Sequence, residues 1–412
     1  MSPLQEMAHP LSPEINLALS QLENSIVQAI RKAGLLSRTA LAEKLNCSRT
    51  SLTPTLARLV SIGILVEAGQ GKSGGGRPPL MLEVNGNLGF VAGVDIGATS
   101  IDIALANFNG IIQARYSVTA DVRDGPEMML STICEQLLEQ LSAKGAGPER
   151  LLAVGIGVPG PVEFSRGVLI APPLMPMWEG YPIQSFVHRS FPMTRVVIDN
   201  DVNIMAKGEQ MVGAGVNLDN FLYIKIGTGI GCGIISHGEI YRGSDGCAGD
   251  IGHICVDTEG PVCFCGNRGC LEYMAAGGAI AGKAMQGTAA GQSPFLAKRT
   301  KEIGSTLTAK DVGEAASAGD RLSIEIIRES GRMIGGVLAG LVNFYNPRAI
   351  FIGGGVSNIG NQLLSTIRQA ILNRATALST IKLRVEYSRL GEDAGIYGAI
   401  WMALENVFSV KN

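Results

Sequence analysis

No stretch of the 412-residue sequence approaches about 18 uninterrupted apolar residues, the length at which a hydrophobic run indicates a transmembrane helix. The first 25 residues also lack the apolar core of a signal peptide, because Glu6, Pro10, Pro13 and Glu14 interrupt them. We therefore expect a cytoplasmic protein that has no membrane partner.

Charge is scarce and glycine is abundant. With 54 glycines, 46% hydrophobic and 17% charged residues, the composition favours an α/β protein with many tight turns over a helical bundle or a disordered chain. The length allows two or three domains with full apolar cores. The net charge of −2 is unevenly distributed, because residues 21–88 hold eight Lys or Arg against four Asp or Glu and so carry +4, which leaves −6 for the remainder.

Three short helices are predicted after residues 1–20, which show no sustained period and are interpreted as a loosely ordered arm. The first helix begins near Asn24 and stops at Gly34, while Ser37 and Ser48 are suited to cap the second and third. This order is typical of a helix-turn-helix unit, in which polar residues near the start of the last helix reach base edges. The predicted DNA contacts in this helix are Ser48, Arg49, Thr50 and Thr53.

Two strands, residues 64–67 and 80–84, follow the helices and are joined by a glycine-rich segment, which predicts a wing. Lys72 and Arg77 in this segment can contact phosphates or enter a narrow minor groove. The alternative is a flexible hairpin beside a small packing module. The helix order and the local positive charge favour a DNA-binding domain over residues 21–88.

A strand–glycine turn–strand unit occurs twice, at residues 89–106 and 221–236. A Rossmann phosphate loop runs from strand to helix, whereas these loops run from strand to strand. Two facing hairpins can present backbone N–H groups to a polyphosphate, although each loop alone fits an ordinary β-turn. The predicted phosphate-binding residues are Gly97, Thr99, Gly227, Thr228 and Gly229, with Asp95 placed to face a magnesium ion.

The predicted strand that ends at residue 203 closes in a polar run, Asp199-Asn200-Asp201-Val-Asn203. Carboxylates and carboxamides at a strand end suit the recognition of several hydroxyl groups. A carboxylate here can also act as the general base for phosphoryl transfer. Helix capping by Asp201 or Asn203 is the purely structural alternative.

Three cysteines crowd into a short segment that follows a histidine. His253, Cys263, Cys265 and Cys270 supply three thiolates and one imidazole, the ligands of a closed tetrahedral zinc site. With four protein ligands the zinc is expected to be structural and to hold this loop in place. His253 and Glu272 are also placed to bring sugar-binding groups beside the loop.

Near the C-terminus, an apolar strand ends in the glycine turn Gly353-Gly354-Gly355 before a helix. Gly354 and Gly355 form a corner that can accept an adenosine. The segment from Gly391 opens a last helix that is expected to pack back on the body.

These residues resemble the ROK family of repressors and sugar kinases over essentially the whole chain, and the zinc signature is the most specific mark. The resemblance implies an α/β fold in which a winged helix-turn-helix precedes a two-lobed, actin-like and ribonuclease-H-like sugar-kinase body. It implies Asp201 as catalytic base, Asn200, Asp201, Asp250, His253 and Glu272 as sugar contacts, and His253, Cys263, Cys265 and Cys270 as zinc ligands. It further implies that sugar or sugar-phosphate binding changes the relation between paired DNA-binding domains.

Two departures from the family kinases concern sugar preference. The chain has Asp250 where the kinases usually have the longer Glu, and residues 171–178 lack an asparagine that many kinases carry. The phosphate loops and Asp201 are intact.

Two hypotheses follow. The first is a DNA-binding regulator, most simply a repressor, that forms a homodimer or homotetramer and takes a sugar as effector. The second is an ATP- and magnesium-dependent sugar kinase, alone or combined with DNA binding. The expected domains are an arm (1–20), the winged helix (21–88), a first lobe (89–203), a second lobe with the zinc loop (204–390) and a C-terminal helix (391–412).

Overall fold

The computed structural model describes residues 18–71, 78–172 and 175–410. Lys72 and Arg77, predicted at the wing, lie outside the described residues. Residues 18–20 do not belong to an arm as predicted, because Ala18–Leu19 pair with a C-terminal strand and Ser20 caps the first helix. Among the residues described, no helix is both long and apolar enough to cross a membrane.

The N-terminal unit combines three capped helices with a small sheet. The side chains of Ser20, Ser37 and Ser48 each accept a hydrogen bond from a backbone N–H in the first turn of the helix that follows, which satisfies a donor that the helix itself leaves free. The sheet has the order β2-β4-β3, so the two predicted wing strands pair. The elements are β1 (Ala18–Leu19), α1 (Gln21–Ala33), β2 (Leu36–Ser37), α2 (Arg38–Lys44), α3 (Arg49–Ser61), β3 (Leu65–Gln70) and β4 (Leu80–Val84).

The first lobe is built on a five-stranded sheet of order β11-β8-β5-β6-β7. Strands β5, β6 and β7 form an antiparallel meander, and β8 and β11 add to β5 in parallel. Nearly every residue of β5 and β8 is buried, as expected for central strands that are covered on both faces. The elements are β5 (Phe90–Ile96), β6 (Ser100–Asn107), β7 (Ile112–Thr119), α4 (Pro126–Ala143), β8 (Leu151–Val158), β9 (Val162–Glu163), β10 (Val168–Leu169), α5 (Ile183–Ser190) and β11 (Arg195–Asn200).

The second lobe repeats this topology with the sheet order β14-β13-β12-β15-β16. Strand β12 pairs antiparallel with β13 and parallel with β15, as β5 pairs with β6 and β8. The sequence predicted a repeated strand–glycine turn–strand unit, and the structure shows that the repeat extends to the whole five-stranded sheet. The elements are α6 (Asp201–Val212), β12 (Phe221–Ile226), β13 (Ile230–Ser236), β14 (Glu239–Ile240), α7 (Leu271–Ala275), α8 (Gly277–Ala289), α9 (Pro294–Ile303), α10 (Ala309–Ser317), α11 (Arg321–Tyr345), β15 (Ala349–Gly353), α12 (Asn361–Arg374), α13 (Ala377–Thr380) and β16 (Arg384–Tyr387).

The C-terminal helix α14 (Ala394–Asn406) packs against α6 and against strands β5 and β8 of the first lobe, and β17 (Ser409–Val410) follows it. Glycines allow this close approach, because a Cβ on Gly398 would lie 1.6 Å from the carbonyl oxygen of Ile204 and a Cβ on Gly155 would lie 2.1 Å from that of Ala399. Helix α6 also contacts β12 and β13. The boundary predicted between residues 203 and 204 therefore falls inside a helix that touches both lobes.

The N-terminal unit shares one apolar core with α14 and with the turn between β6 and β7. Phe108 in that turn makes an edge-to-face contact with Phe408, at a centroid separation of 5.6 Å. The guanidinium of Arg31 on α1 lies 4.6 Å from the Phe108 ring centroid and donates a 3.1 Å hydrogen bond to the carbonyl of Leu404. Parallel pairing of β1 with β17 closes the junction.

Candidate functional site

The two predicted glycine hairpins occupy equivalent positions, since each links the middle strand of its sheet to the antiparallel neighbour. The Gly97 N–H donates to the carbonyl of Ser100 at 2.8 Å, and the Gly227 N–H donates to that of Gly229 at 2.9 Å. The side chains of Thr99 and Thr228 at the tips are exposed. Both hairpins therefore present exposed hydroxyl groups, which can add donors to the backbone N–H groups of a phosphate-binding loop.

Two carboxylates and one lysine meet at the inner ends of the hairpins. Asp95 is the penultimate residue of β5 and is 9% exposed, and Asp201 begins α6 and is 4% exposed. Burial raises the pKa of Asp95 to about 7, the Lys225 ammonium lowers it in part, and the Asp201 carboxylate adds to the increase. Lys225 forms an ion pair with Asp201 through Nζ and Oδ2.

This arrangement does not fit a magnesium ion between the two carboxylates. Mg²⁺ needs near-octahedral oxygen ligands at close range, and a carboxylate next to it must be ionised. Here the Lys225 ammonium already neutralises this position, since it pairs with Asp201 Oδ2 and also lowers the pKa of Asp95, which burial raises to about 7, so a second cation would have to compete with the lysine. The predicted magnesium contact of Asp95 is therefore not supported by its surroundings.

Asn200, predicted as a sugar contact, has a structural role. Its Oδ1 accepts a hydrogen bond from the N–H of Val202, which makes it the N-cap of α6, and its Nδ2 donates to the carbonyl of Gly160. The alternative of helix capping is realised by Asn200, and not by Asp201 or Asn203. One amide hydrogen and one oxygen lone pair remain for a ligand.

The four predicted metal ligands lie together. The ligand atoms of His253, Cys263, Cys265 and Cys270 are all within 4.8 Å of one another. The Sγ atoms of Cys265 and Cys270 are 3.7 Å apart, and Cys263 Sγ lies 3.7 Å from His253 Nδ1. Two sulfurs held by one tetrahedral zinc ion at about 2.3 Å would lie about 3.8 Å apart, so the cluster fits a metal such as zinc.

Two thiols of the loop are shifted in opposite directions, because burial raises the pKa of Cys270 whereas hydrogen bonds favour the thiolate of Cys265. The backbone of Asn267, with smaller effects from Cys270 and Cys263, lowers the pKa of the Cys265 thiol. Thiolates are the form that binds metals.

The metal cluster is joined to the second hairpin by Glu272. This residue follows Cys270 by two positions in α7, and its Oε2 accepts a 2.9 Å hydrogen bond from the N–H of Ile230, which follows Gly229. Nδ1 of His253 faces the thiols, while its Nε2 lies 3.9 Å from the half-exposed carboxylate of Asp250. His253 can therefore bind a metal through one ring nitrogen and a sugar hydroxyl through the other.

The third glycine corner lies against the same hairpin. A Cβ on Gly354 would lie 2.6 Å from the carbonyl of Ile226, whereas nothing lies within 4 Å of one on Gly355. The N–H of Gly277, at the start of α8, donates to the carbonyl of Gly227. The predicted nucleotide-binding residues of the second lobe, in the Gly227 hairpin and at Gly354, therefore lie next to one another.

The N-terminal unit presents a separate polar face. Ser48, Arg49, Thr50 and Thr53 are all exposed on the first turns of α3, while Leu52, Leu56 and Leu59 are buried on the opposite side. Arg58 pairs with Glu23, the capping-box residue of α1, and so ties α3 to α1. The exposed face is free to enter a groove.

Sequence reasoning missed two charged residues. Lys225 interrupts the otherwise apolar strand Phe221–Ile226, which was a signal in the sequence itself. Arg242 donates two hydrogen bonds, of 3.0 and 2.7 Å, to the buried Asp199 and lies 3.8 Å above the Phe164 ring. This ion pair joins the two lobes, and no local sequence pattern indicated it.

A unit of three helices and a small sheet, joined to two duplicated α/β lobes with paired glycine hairpins and a His/Cys cluster, is the architecture of a sugar-kinase-like body with an added N-terminal unit. Residues 91–406 match the model of the ROK family, and the chain belongs to that family. This confirms the family and fold predicted from the sequence.

Repressors and kinases both resemble the chain. A putative xylose repressor of Caldicellulosiruptor sp. (strain Rt8B.4) is 31% identical and aligns with 97% of this chain and 98% of its own length. The structure of a ROK family transcriptional regulator, a homolog of E. coli MLC protein, is 25% identical, with a TM-score of 0.79 and coverage of 93% and 96%. A ROK family glucokinase from Streptomyces griseus, solved with glucose and AMPPNP, is 32% identical, with a TM-score of 0.67 and coverage of 76% and 99%.

Proposed function

We propose that the protein is a sugar-responsive, DNA-binding transcriptional repressor whose kinase-like body takes a sugar or sugar phosphate as effector. The repressor and regulator relatives align with more than nine-tenths of the chain, whereas the glucokinase aligns with 76%. The ROK model itself begins at residue 91, so the N-terminal unit is an addition to the kinase-like part.

The continuous packing from the sugar-facing carboxylate to the DNA-binding unit carries this proposal. Helix α6 begins at Asp201 and lies along α14, and Lys207 of α6 forms a 2.6 Å ion pair with Glu405 of α14. The neighbouring Leu404 accepts the hydrogen bond from Arg31 of α1. A ligand that moves α6 therefore moves the platform on which the DNA-binding helices rest.

DNA recognition is assigned to the exposed start of α3. Arg49 contributes charge, and the hydroxyl groups of Ser48, Thr50 and Thr53 contribute donors and acceptors. Two such units in a homodimer would read two half-sites. Lys72 and Arg77 of the predicted wing would add phosphate contacts.

The metal in this proposal is a structural zinc ion held by His253, Cys263, Cys265 and Cys270. Its function is to fix the loop that leads into α7, which places Glu272 against the second hairpin and turns His253 Nε2 toward Asp250. All four ligands come from the protein, so no coordination position is left for catalysis.

A kinase is the second candidate, favoured by the paired hairpins. Asp201 is the residue that would accept the proton from a sugar hydroxyl, and Gly97, Thr99 and Gly227–Gly229 would hold phosphates. The ion pair between Asp201 and Lys225 opposes this candidate function, because a paired carboxylate is a weaker base and the lysine occupies one of its two oxygens.

Arg49→Ala is expected to weaken operator binding about tenfold and to reduce the salt slope of the affinity by about one, because one phosphate-neutralising charge is lost. Thr50→Ala should instead relax sequence specificity and leave the slope unchanged. The effects of the two substitutions are separated by measuring operator binding with fluorescence anisotropy at several salt concentrations between about 50 and 200 mM. Lys298→Ala, which removes an exposed charge on α9, is the control. An unchanged affinity together with an unchanged slope for Arg49→Ala would contradict a contact between this residue and DNA.

Effector binding is tested by thermal shift on wild-type protein with a panel of pentoses, hexoses, amino sugars and their phosphates. We expect one class to raise the melting temperature, because a ligand that binds only the folded state stabilises it. The same sugar should lower operator affinity. If no sugar changes either quantity, the sugar-response part of the proposal is wrong.

A further inference from the structure

Lys225 lies two residues before Gly227, beside the second predicted phosphate-binding hairpin. It projects from the middle strand of the second sheet, next to the Gly227 hairpin, and its ammonium forms an ion pair with Asp201. Asp95 and Glu272 also contribute negative charge at this point. The charged side chain of Lys225 thus lies among three carboxylates. The sequence predicted a catalytic base at Asp201, a metal contact at Asp95 and a sugar contact at Glu272.

The lysine remains charged in this position. Burial lowers the pKa of Lys225, but the negative charges of Asp201 and Asp95 more than offset this effect, so that its pKa lies above the ordinary value. A fixed positive charge repels a divalent cation, and it also pairs with one of the two Asp201 oxygens, which lowers the basicity of that carboxylate.

We propose that Lys225 is a tethered cation that takes the place of the metal ion and engages Asp201, so that the site binds its sugar without recruiting magnesium–nucleotide and without phosphoryl transfer. This inference rests on the proposed sugar site. Lys225 is thereby the residue that determines whether the kinase-like body is a sensor or a catalyst.

The test compares wild-type protein with Lys225→Met, which keeps the apolar stem and removes the charge. Mn²⁺ binding is followed by electron paramagnetic resonance, alone and with a non-hydrolysable ATP analogue. We expect no Mn²⁺ binding near this site in the wild type at millimolar concentration, and at least tenfold tighter binding of Mn²⁺–analogue in Lys225→Met. The zinc cluster is kept loaded in all samples.

Lys207→Met is the matched control, since it breaks another buried lysine–carboxylate ion pair, six residues beyond Asp201 on α6. It should bind Mn²⁺ no better than the wild type. If Lys225→Met does not fold, Lys225→Gln replaces it, and the wild-type titration by itself still decides.

Three results overturn the inference. These are tight Mn²⁺–analogue binding by the wild type, sugar-dependent ADP release by the wild type, or no gain in Mn²⁺–analogue binding by Lys225→Met. In the last case, a simultaneous loss of the sugar thermal shift would make Lys225 a sugar ligand. Failure of the sugar-response proposal is seen separately, as the absence of any sugar thermal shift in the wild type.

Discussion

Replacing Gly398 by alanine is expected to lower the free energy of unfolding by about 3 kcal/mol, because overpacking at a backbone contact cannot be relieved by a rotamer change. A Cβ at this position would lie 1.6 Å from the carbonyl oxygen of Ile204 and 2.9 Å from the N–H nitrogen of Gly208. Helices α6 and α14 would have to separate. Urea unfolding followed by the fluorescence of Trp401, three residues further along α14, measures the loss.

The same substitution should uncouple the sugar site from DNA binding. Helix α14 carries Leu404 and Glu405, the residues that connect α1 and α6, so its displacement alters both contacts. We expect Gly398→Ala to retain operator affinity at low temperature and to lose the sugar-induced change in that affinity.

Gly282→Ala in α8 is the matched control. No atom lies within 4 Å of a Cβ on Gly282, so the substitution introduces no clash and gains helix propensity of up to about 1 kcal/mol. Equal destabilisation by both substitutions would show that the α6–α14 contact has no special role.

The sequence was most informative for sites whose residues lie close together in the chain. The two glycine hairpins were visible as a repeated strand–turn–strand pattern, and the repeat extends to the whole sheet in the structure. The metal cluster was visible because its ligands lie close together in the chain, from His253 to Cys270. In both cases the chemistry requires particular residue types at short spacing.

Contacts between distant segments were not predictable in the same way. Arg31 reaches Leu404 across the junction, and Arg242 reaches Asp199 across the lobes, at sequence separations that no periodic pattern encodes. The family resemblance implied a sugar contact for Asn200, and only the structure shows that each of its two amide atoms already makes one hydrogen bond, with Val202 and Gly160. A polar residue at a strand end is equally suited to a ligand and to a helix cap.

Cys265→Ser is expected to abolish stable zinc binding and with it the response to sugar. Wild-type protein should contain one equivalent of zinc per chain, and the variant far less, because a hydroxyl group is a poor replacement for a thiolate ligand. Structural zinc contributes directly to folding free energy, so the loop from Asp250 to Glu272 should lose its order. Metal analysis and the sugar thermal shift measure the two effects.

Cys255→Ser and Cys247→Ser are the controls, since both cysteines are exposed and lie outside the cluster. They should keep the full zinc content and the sugar shift. A wild-type protein with no zinc, or a Cys265→Ser variant that retains it, would contradict the assignment.

Cobalt substitution distinguishes a structural metal from one that contacts the sugar. If all four positions are filled by His253 and the three cysteines, the cobalt protein should show the absorption of a tetrahedral thiolate-rich site, and saturating sugar should leave that spectrum unchanged. In the proposed site the sugar contacts Asp250, Nε2 of His253 and Glu272, which lie beside the metal ligands without replacing any of them. A sugar-induced change to five-coordinate absorption would place the metal in the binding site itself and make the loop a direct part of effector recognition.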